Sequence, residues 1–140
     1  MCKGGFAALR LEYQTEFSLQ NLKQLIMAHQ NFQECIETCD SCAIACNHCA
    51  TECLMEHDVK MLSRCIQLDM ECAAICRSAS EVMALGSDYS FELCRICADV
   101  CNACAEECDK HAQMGMDHCR QCADACRVCA EACMQMAQTA

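Results

Sequence analysis

The chain has 140 residues, 54% of them hydrophobic, which is enough for one core. Its net charge of −10 argues against nucleic acid or an anionic membrane as a partner. No apolar run approaches the ~18 residues of a membrane span, and the N-terminal residues lack the apolar stretch of a signal peptide. We therefore expect a cytoplasmic protein, although 20 cysteines are unusual there.

Residues 1–30 form an N-terminal extension rich in Gln and Asn. A short amphipathic helix is predicted within it from apolar residues at helical spacing, namely Leu19, Leu22 and Ile26. Asn31 and Glu34 have the spacing of an N-cap and its N3 partner, which favours the start of a new helix. The pattern leaves open whether the two helices merge.

The first bundle helix is predicted over residues 32–56, where cysteines recur at alternating steps of four and three. They are Cys35, Cys39, Cys42, Cys46, Cys49 and Cys53. This is the spacing of the a and d positions of a heptad, which places every thiol on one stripe of an α-helix.

The second helix, predicted over residues 59–84 with Asp58 as its N-cap, carries fewer thiols. They are Cys65, Cys72 and Cys76. Asp69 takes a position that a thiol holds in the other helices, and a buried carboxylate needs a cation or hydrogen-bond donors. Two interpretations stay open: a ligand within the core, or a residue at the edge of the stripe bonded to a neighbouring helix.

The third and fourth helices are predicted over residues 90–112 and 117–138, with Gly86 and Gly115 in the turns that precede them. Their cysteines repeat the alternating steps: Cys94, Cys97, Cys101, Cys104 and Cys108, then Cys119, Cys122, Cys126, Cys129 and Cys133. Helices of similar length with short connections predict an all-α fold, an antiparallel up-down four-helix bundle with a Cys-lined core over residues 31–140, plus the helical extension.

Turning the four stripes inward places every cysteine except Cys2 in one core. A role as small apolar filler explains one or two buried cysteines, but Leu or Ile would bury more area at each position. Disulfides are disfavoured because the expected compartment is reducing and the spacing within a helix does not suit their torsions. The pattern therefore favours metal binding.

The choice of metal follows from spacing and charge. Iron–sulfur motifs lie in loops, and structural zinc sites are isolated groups of four ligands. A Zn²⁺ ion on four unshared thiolates leaves a buried charge of about −2. Cu(I) is satisfied by two or three thiolates, and if each thiolate bridges two ions the core is neutral. We expect a row of many Cu(I) ions.

The sequence resembles the bacterial copper storage proteins, specifically their cytosolic branch. The resemblance covers about residues 31–138 and is carried by three motifs: CxxCxxxCNHC from Cys39, CIQLDMEC from Cys65 and HCRQC from His118. It implies storage of Cu(I) in the core of a four-helix bundle, delivery and removal of copper by other factors such as chaperones or efflux components, and assembly as a homo-oligomer, commonly a tetramer.

One end of the bundle gathers neutral soft ligands, because helices one and three finish where helices two and four begin. Met61, His111 and His118 are candidate ligands for copper entry there, since thioether and imidazole bind Cu(I) less tightly than thiolate. The resemblance also favours His118. Four more Met and His residues are expected at this end, and the sequence leaves open whether they bind metal: Met55, His57, Met114 and Met116. The opposite end carries bulky residues, Phe32 and Phe91 among them.

Two other functions remain as alternatives. A Zn²⁺ or Cd²⁺ buffer of the metallothionein kind would hold about four or five ions, against a number near the thiol count for bridged Cu(I). A thiol redox enzyme would need one exposed cysteine with a depressed pKa, and no cysteine stands apart with its own base. We expect no enzymatic activity.

Overall fold

The computed structural model describes the backbone of residues 5–140 and the side chains of residues 14–23, 26, 30 and 32–140. Four α-helices make up the fold: α1 (Gly5–Met55), α2 (Ser63–Ala84), α3 (Ser90–Ala112) and α4 (Asp117–Gln138), with a 3₁₀ turn at Val59–Leu62 before α2. No strand occurs in this described part of the chain. Among the same residues, no helix combines the length and apolarity needed to cross a membrane.

The helices form the predicted four-helix bundle. α1 packs against α2 and α4, and α3 packs against the same two helices, so α1 and α3 lie diagonally opposite each other. The short connections make sequence neighbours antiparallel. The all-α, up-down bundle with a helical extension is confirmed.

The first helix is longer than the sequence predicts. It runs without a break for 51 residues, so the two helices whose merging the sequence left open are one, and no new helix begins at Asn31. No Gly or Pro occurs between Gly5 and Met55, and nothing in the chain therefore forces the helix to stop. The extension keeps several apolar side chains exposed: Phe17, Leu19, Leu22 and Ile26. Cys2 lies outside the described residues.

The connections follow the predicted turn residues. The side chain of Asp58 accepts a hydrogen bond from the backbone N–H of Met61, so it caps a 3₁₀ turn over Val59–Leu62. The prediction that Asp58 caps α2 itself is wrong, because α2 begins only at Ser63, after this turn. Gly86 and Gly115 both have positive φ, 64° and 95°, where a residue with a Cβ is strained. These turns hold α3 and α4 in antiparallel register with their partners.

The core is built almost entirely from cysteine and alanine. Large side chains are few in it, and Leu62 and Met83 are the largest that are fully buried. An alanine often follows a core cysteine and is buried beside it: Ala43, Ala73, Ala98, Ala105, Ala123 and Ala130. Small flanking residues let the helices approach closely, which brings sulfur atoms of different helices within contact distance.

Candidate metal centre

Every cysteine predicted as a ligand is buried in one continuous core, and each is a free thiol. The core runs from a phenylalanine end, where Phe32 and Phe91 lie, to a histidine end, where His111 and His118 lie. The burial of the stripes is as predicted, whereas metal binding by these residues stays a prediction.

Near the phenylalanine end the contacts join α1 to α4. The Sγ of Cys133 lies 3.7 Å from that of Cys35 and 3.5 Å from that of Cys39. Cys129 lies 3.6 Å from Cys39. The Cys94 thiol donates to the Sδ of Met83 over 3.5 Å. This end of the core is therefore already dense in sulfur before any metal is bound.

In the middle of the bundle all four helices contribute thiols. Cys72 of α2 lies 3.5 Å from Cys101 of α3, and Cys42 of α1 lies 3.7 Å from Cys126 of α4. Cys42 and Cys101 are themselves 3.9 Å apart across the diagonal. A bond of ~2.3 Å to a metal places three ligating sulfurs ~4.0 Å apart. The observed separations thus need shifts of only a few tenths of an ångström to enclose an ion.

The thiols form groups of four that share members. Cys42 belongs to at least two groups and so does Cys46, while Cys126 and Cys129 are shared in the same way. Within each group the ligand atoms all lie within 4.8 Å of one another. Isolated structural zinc sites do not share ligands in this manner. The sharing instead suits bridging thiolates in a continuous row of metals.

Asp69 lies inside the core rather than at the edge of the stripe, and it is bonded to neighbouring helices as one of the two interpretations held. It is fully buried, and its Oδ1 accepts hydrogen bonds from the thiols of Cys104 at 3.1 Å, Cys122 at 3.3 Å and Cys108 at 3.6 Å. Burial raises the pKa of Asp69 to about 9. The metal-free core thus holds a neutral carboxyl group surrounded by thiols.

Some thiols of the apo core also hold their protons more tightly than a free cysteine does. Hydrogen bonds that the Cys46 and Cys101 thiols donate to neighbouring thiols, together with burial, raise the pKa of both residues. Metal binding must therefore displace protons from the core, which makes loading depend on pH.

At the histidine end of the core, a group of thiols lies beside the partly exposed imidazole of His118. Cys49, Cys53 and Cys119 lie 3.9 Å apart from one another. The Nε2 of His118 lies 3.7 Å from the Sγ of Cys53. With bonds of ~2.3 Å to sulfur and ~2.0 Å to nitrogen, a three-coordinate ion would place those two atoms ~3.7 Å apart. Only 10% of the His118 side chain is exposed, so it lies at the boundary between core and solvent.

His111 continues the α3 stripe into the same end, as predicted. It is 4% exposed, and its Nε2 lies 3.3 Å from the Oε1 of Glu107. Its Nδ1 is buried without a hydrogen-bond partner among the described residues. A buried nitrogen with no partner is costly unless something binds it, and this ring is held by Glu107 in the way that metal-binding histidines are oriented. The i, i+4 spacing of Glu107 and His111 was a signal for this pairing in the sequence.

The structure does not bring Met61 into the thiol core. Its side chain is 46% exposed, and the neighbouring Leu62 takes the buried position. Met55, His57 and Met114 are exposed as well, while Met116 is half-buried. At this end it is therefore His118, rather than Met61, that contacts a core thiol.

Comparison with known proteins points to one family. A family model described as "Copper storage protein" matches residues 28–138. The protein YhjQ of Bacillus subtilis strain 168, described as cysteine-rich and uncharacterized, is 50% identical over 69 residues. Those residues make up 49% of this chain and 64% of YhjQ, so the match spans somewhat less than two thirds of that relative.

Solved structures with the same fold bear related descriptions. Apo copper storage protein 3 of Bacillus subtilis is 50% identical, with a TM-score of 0.70, and the match covers 76% of this chain and 98% of that one. The Cu(I)-bound form of that protein gives a TM-score of 0.72 at the same identity and coverage. A cytosolic copper storage protein of Streptomyces lividans, in a copper-loading structure with five coppers, is 40% identical, covers 80% and 96% of the two chains and has a TM-score of 0.75.

Proposed function

Because this chain belongs to the copper storage protein family, we propose that it stores many Cu(I) ions on the thiolates that line its bundle core. The observation that carries the proposal is the sharing of cysteines between groups of four. A shared thiolate bridges two ions, so metal and thiolate can match one to one and the loaded core stays close to neutral. The Cu(I)-bound Bacillus structure and the Streptomyces structure with five coppers support the same cargo.

The proposed ligands are the thiols of the core together with Asp69 and the two histidines at the histidine end. Residues 31–140 form the storage unit and residues 1–30 the extension. We assign no enzymatic activity to the chain. Asp69 and His118 both contact thiols of the core.

Charge separates copper from the alternative, a Zn²⁺ or Cd²⁺ buffer. The chain already carries a net charge of −10. Each divalent ion on four thiolates would add a buried charge of about −2, which the low-dielectric core disfavours. A thiolate-bridged Cu(I) row adds little or none. The structures of relatives likewise favour copper.

Copper enters and leaves, in this proposal, at the histidine end. His118 is partly exposed and contacts Cys53, and the unpartnered Nδ1 of His111 lies close to the same end. The other end is covered by aromatic side chains. The rings of Phe32 and Phe91 lie 5.9 Å apart across the diagonal of the bundle, and Phe32 is buried.

The proposed setting is the cytoplasm, and the proposed state is a homo-oligomer, with the tetramer as the expected form. The Streptomyces relative, described as cytosolic, supports the location. Copper chaperones or efflux components are the proposed protein partners. Light scattering coupled to size exclusion measures the oligomeric state directly, and fractionation of cells measures the location.

Anaerobic titration of the reduced protein tests the storage proposal. With Cu(I) and a competing chelator we expect a capacity near one ion per core thiol, about 19 per chain, against about four or five for Zn²⁺. A variant with Cys42→Ala and Cys46→Ala should lose about two copper ions, because bridged ions and thiolates are matched one to one. Ser41→Ala with Thr51→Ala, exposed residues of the same helix, is the matched control. A copper capacity of four or five would refute the shared row.

A further inference from the structure

At the phenylalanine end, each helix places one sulfur in the last layer of the core. Three of them are thiols, Cys35 of α1, Cys94 of α3 and Cys133 of α4, and the fourth is the thioether of Met83 on α2. Cys35 and Cys133 are 3.7 Å apart, and Cys94 is buried in the same core. The Sδ of Met83 lies 3.5 Å from the Sγ of Cys94. Met83 is therefore part of the sulfur layer rather than a cover over it.

The burial of Met83 distinguishes it from most other described methionines. Those at positions 55, 61, 70, 114 and 134 are exposed, whereas Met83 is fully buried. Met136 is also buried at this end, but its Sδ accepts a hydrogen bond from the Thr139 hydroxyl at 3.7 Å. The two buried methionines thus differ in what their sulfur faces: a thiol for Met83, a hydroxyl for Met136.

The contact between Met83 and Cys94 depends on a proton. In the apo protein the Cys94 thiol donates that proton to the thioether. Copper loading removes it, because the thiolate is the form that binds metal. Two sulfur lone pairs would then face each other over 3.5 Å with nothing between them. A Cu(I) ion can take the place of the proton, since thioether sulfur is a soft neutral ligand.

We propose that the Sδ of Met83 is a Cu(I) ligand, which with Cys94 and one of its neighbouring thiolates forms the terminal copper site at the phenylalanine end. This inference rests on the proposed storage function and adds a ligand to it. Three ligating sulfurs lie ~4.0 Å apart at a bond length of ~2.3 Å, so Met83 must move by about 0.5 Å. Methionine has three rotatable bonds and adapts readily to such a shift.

Charge gives a reason for a thioether at this position. An ion held by two thiolates and one thioether carries one negative charge less than an ion held by three thiolates. Next to Phe32 and Phe91 the site is removed from solvent, where excess charge is costly to bury. α2 therefore supplies a neutral sulfur to a layer whose other sulfur atoms belong to buried thiols.

X-ray absorption at the selenium edge of selenomethionine-substituted protein, loaded anaerobically with Cu(I), tests the proposal. Se–Cu scattering at bonding distance is expected in the unsubstituted protein and in the variants Met70→Leu and Met136→Leu. It should be lost or strongly reduced in Met83→Leu. Leu is close in volume to Met, so this variant should fold, and far-ultraviolet circular dichroism of the apo form checks that it does. Met136→Leu is the matched control, since it removes a buried sulfur at the same end that faces no thiol.

Copper stoichiometry gives a second readout from the same samples. Met83→Leu should bind about one Cu(I) fewer than Met136→Leu, because a terminal site that loses a ligand holds its ion less tightly against a chelator. If the unsubstituted protein loads copper fully without Se–Cu scattering, or if the scattering persists in Met83→Leu, the role of Met83 is refuted while storage stands. If the unsubstituted protein itself binds far fewer Cu(I) ions than it has core thiols, the proposed storage function is refuted.

Discussion

The carboxyl group of Asp69 should make the stability of the metal-free protein depend on pH. In the folded chain its pKa is raised from 3.8 to about 9, mainly by burial. Between those two values the folded protein keeps the proton and the unfolded chain releases it. The stabilisation that this carboxyl group contributes is therefore fully present below about pH 4, and it is lost as the pH rises toward 9.

The size of the effect follows from proton linkage. One proton released on unfolding lowers the free energy of unfolding by about 1.4 kcal/mol per pH unit, which amounts to about 7 kcal/mol as an upper bound over the whole interval. Between pH 5 and 7.5 the loss is about 3 kcal/mol, a large share of the stability of a small domain.

Replacing Asp69 by Asn removes this titration and preserves the shape of the neutral carboxyl group. The amide oxygen can still accept from Cys104 and Cys122, which lie within 3.3 Å of the present Oδ1. Unfolding by urea, followed by circular dichroism without oxygen or metal, should give a free energy for D69N that changes less with pH than that of the unsubstituted protein. The difference in slope should approach about 1.4 kcal/mol per pH unit.

The comparison should stop at pH 7.5, because thiols of the unfolded chain begin to titrate above it. Asp99→Asn is the control for charge, since Asp99 is an exposed residue on α3. Its unfolding free energy should follow that of the unsubstituted protein across the pH range. If the free energy of unfolding changes with pH equally in D69N and in the unsubstituted protein, the conclusion that the buried Asp69 carboxyl group is neutral is refuted.

Three further predictions follow from the bundle. The reduced apo protein should be highly helical by far-ultraviolet circular dichroism, because neutral thiols and alanines already fill the core; a largely unfolded spectrum would contradict this. Converting Met61, His111 and His118 to Leu should slow Cu(I) uptake and chelator-driven removal in stopped-flow measurements, with only a small fall in capacity; unchanged rates would place entry elsewhere. Leu62→Ala should destabilise the apo protein by about 2–4 kcal/mol in urea unfolding, because it empties a fully buried position, whereas exposed Leu85→Ala should change stability little.

Local patterns were sufficient to predict the helices that carry the thiols. The bounds of α3 and α4 agree with the sequence prediction, because their cysteine spacing and the flanking glycines act within a few residues. The start of α1 was misplaced for the same reason. A capping pair at Asn31 and Glu34 is a local preference, and a chain without Gly or Pro there gains more by continuing the helix.

The sequence by itself therefore determined which residues face inward, since spacings of three and four place them on one helical stripe whatever the stripe packs against. It also determined that the inward surface is sulfur. Only the tertiary structure decided which sulfurs and oxygens meet: that thiols of α3 and α4 donate to Asp69, that His118 rather than Met61 adjoins Cys53, and that Met83 faces Cys94. Those pairings depend on the relative register of separate helices, which is set by packing and turns rather than by the spacing within any one of them.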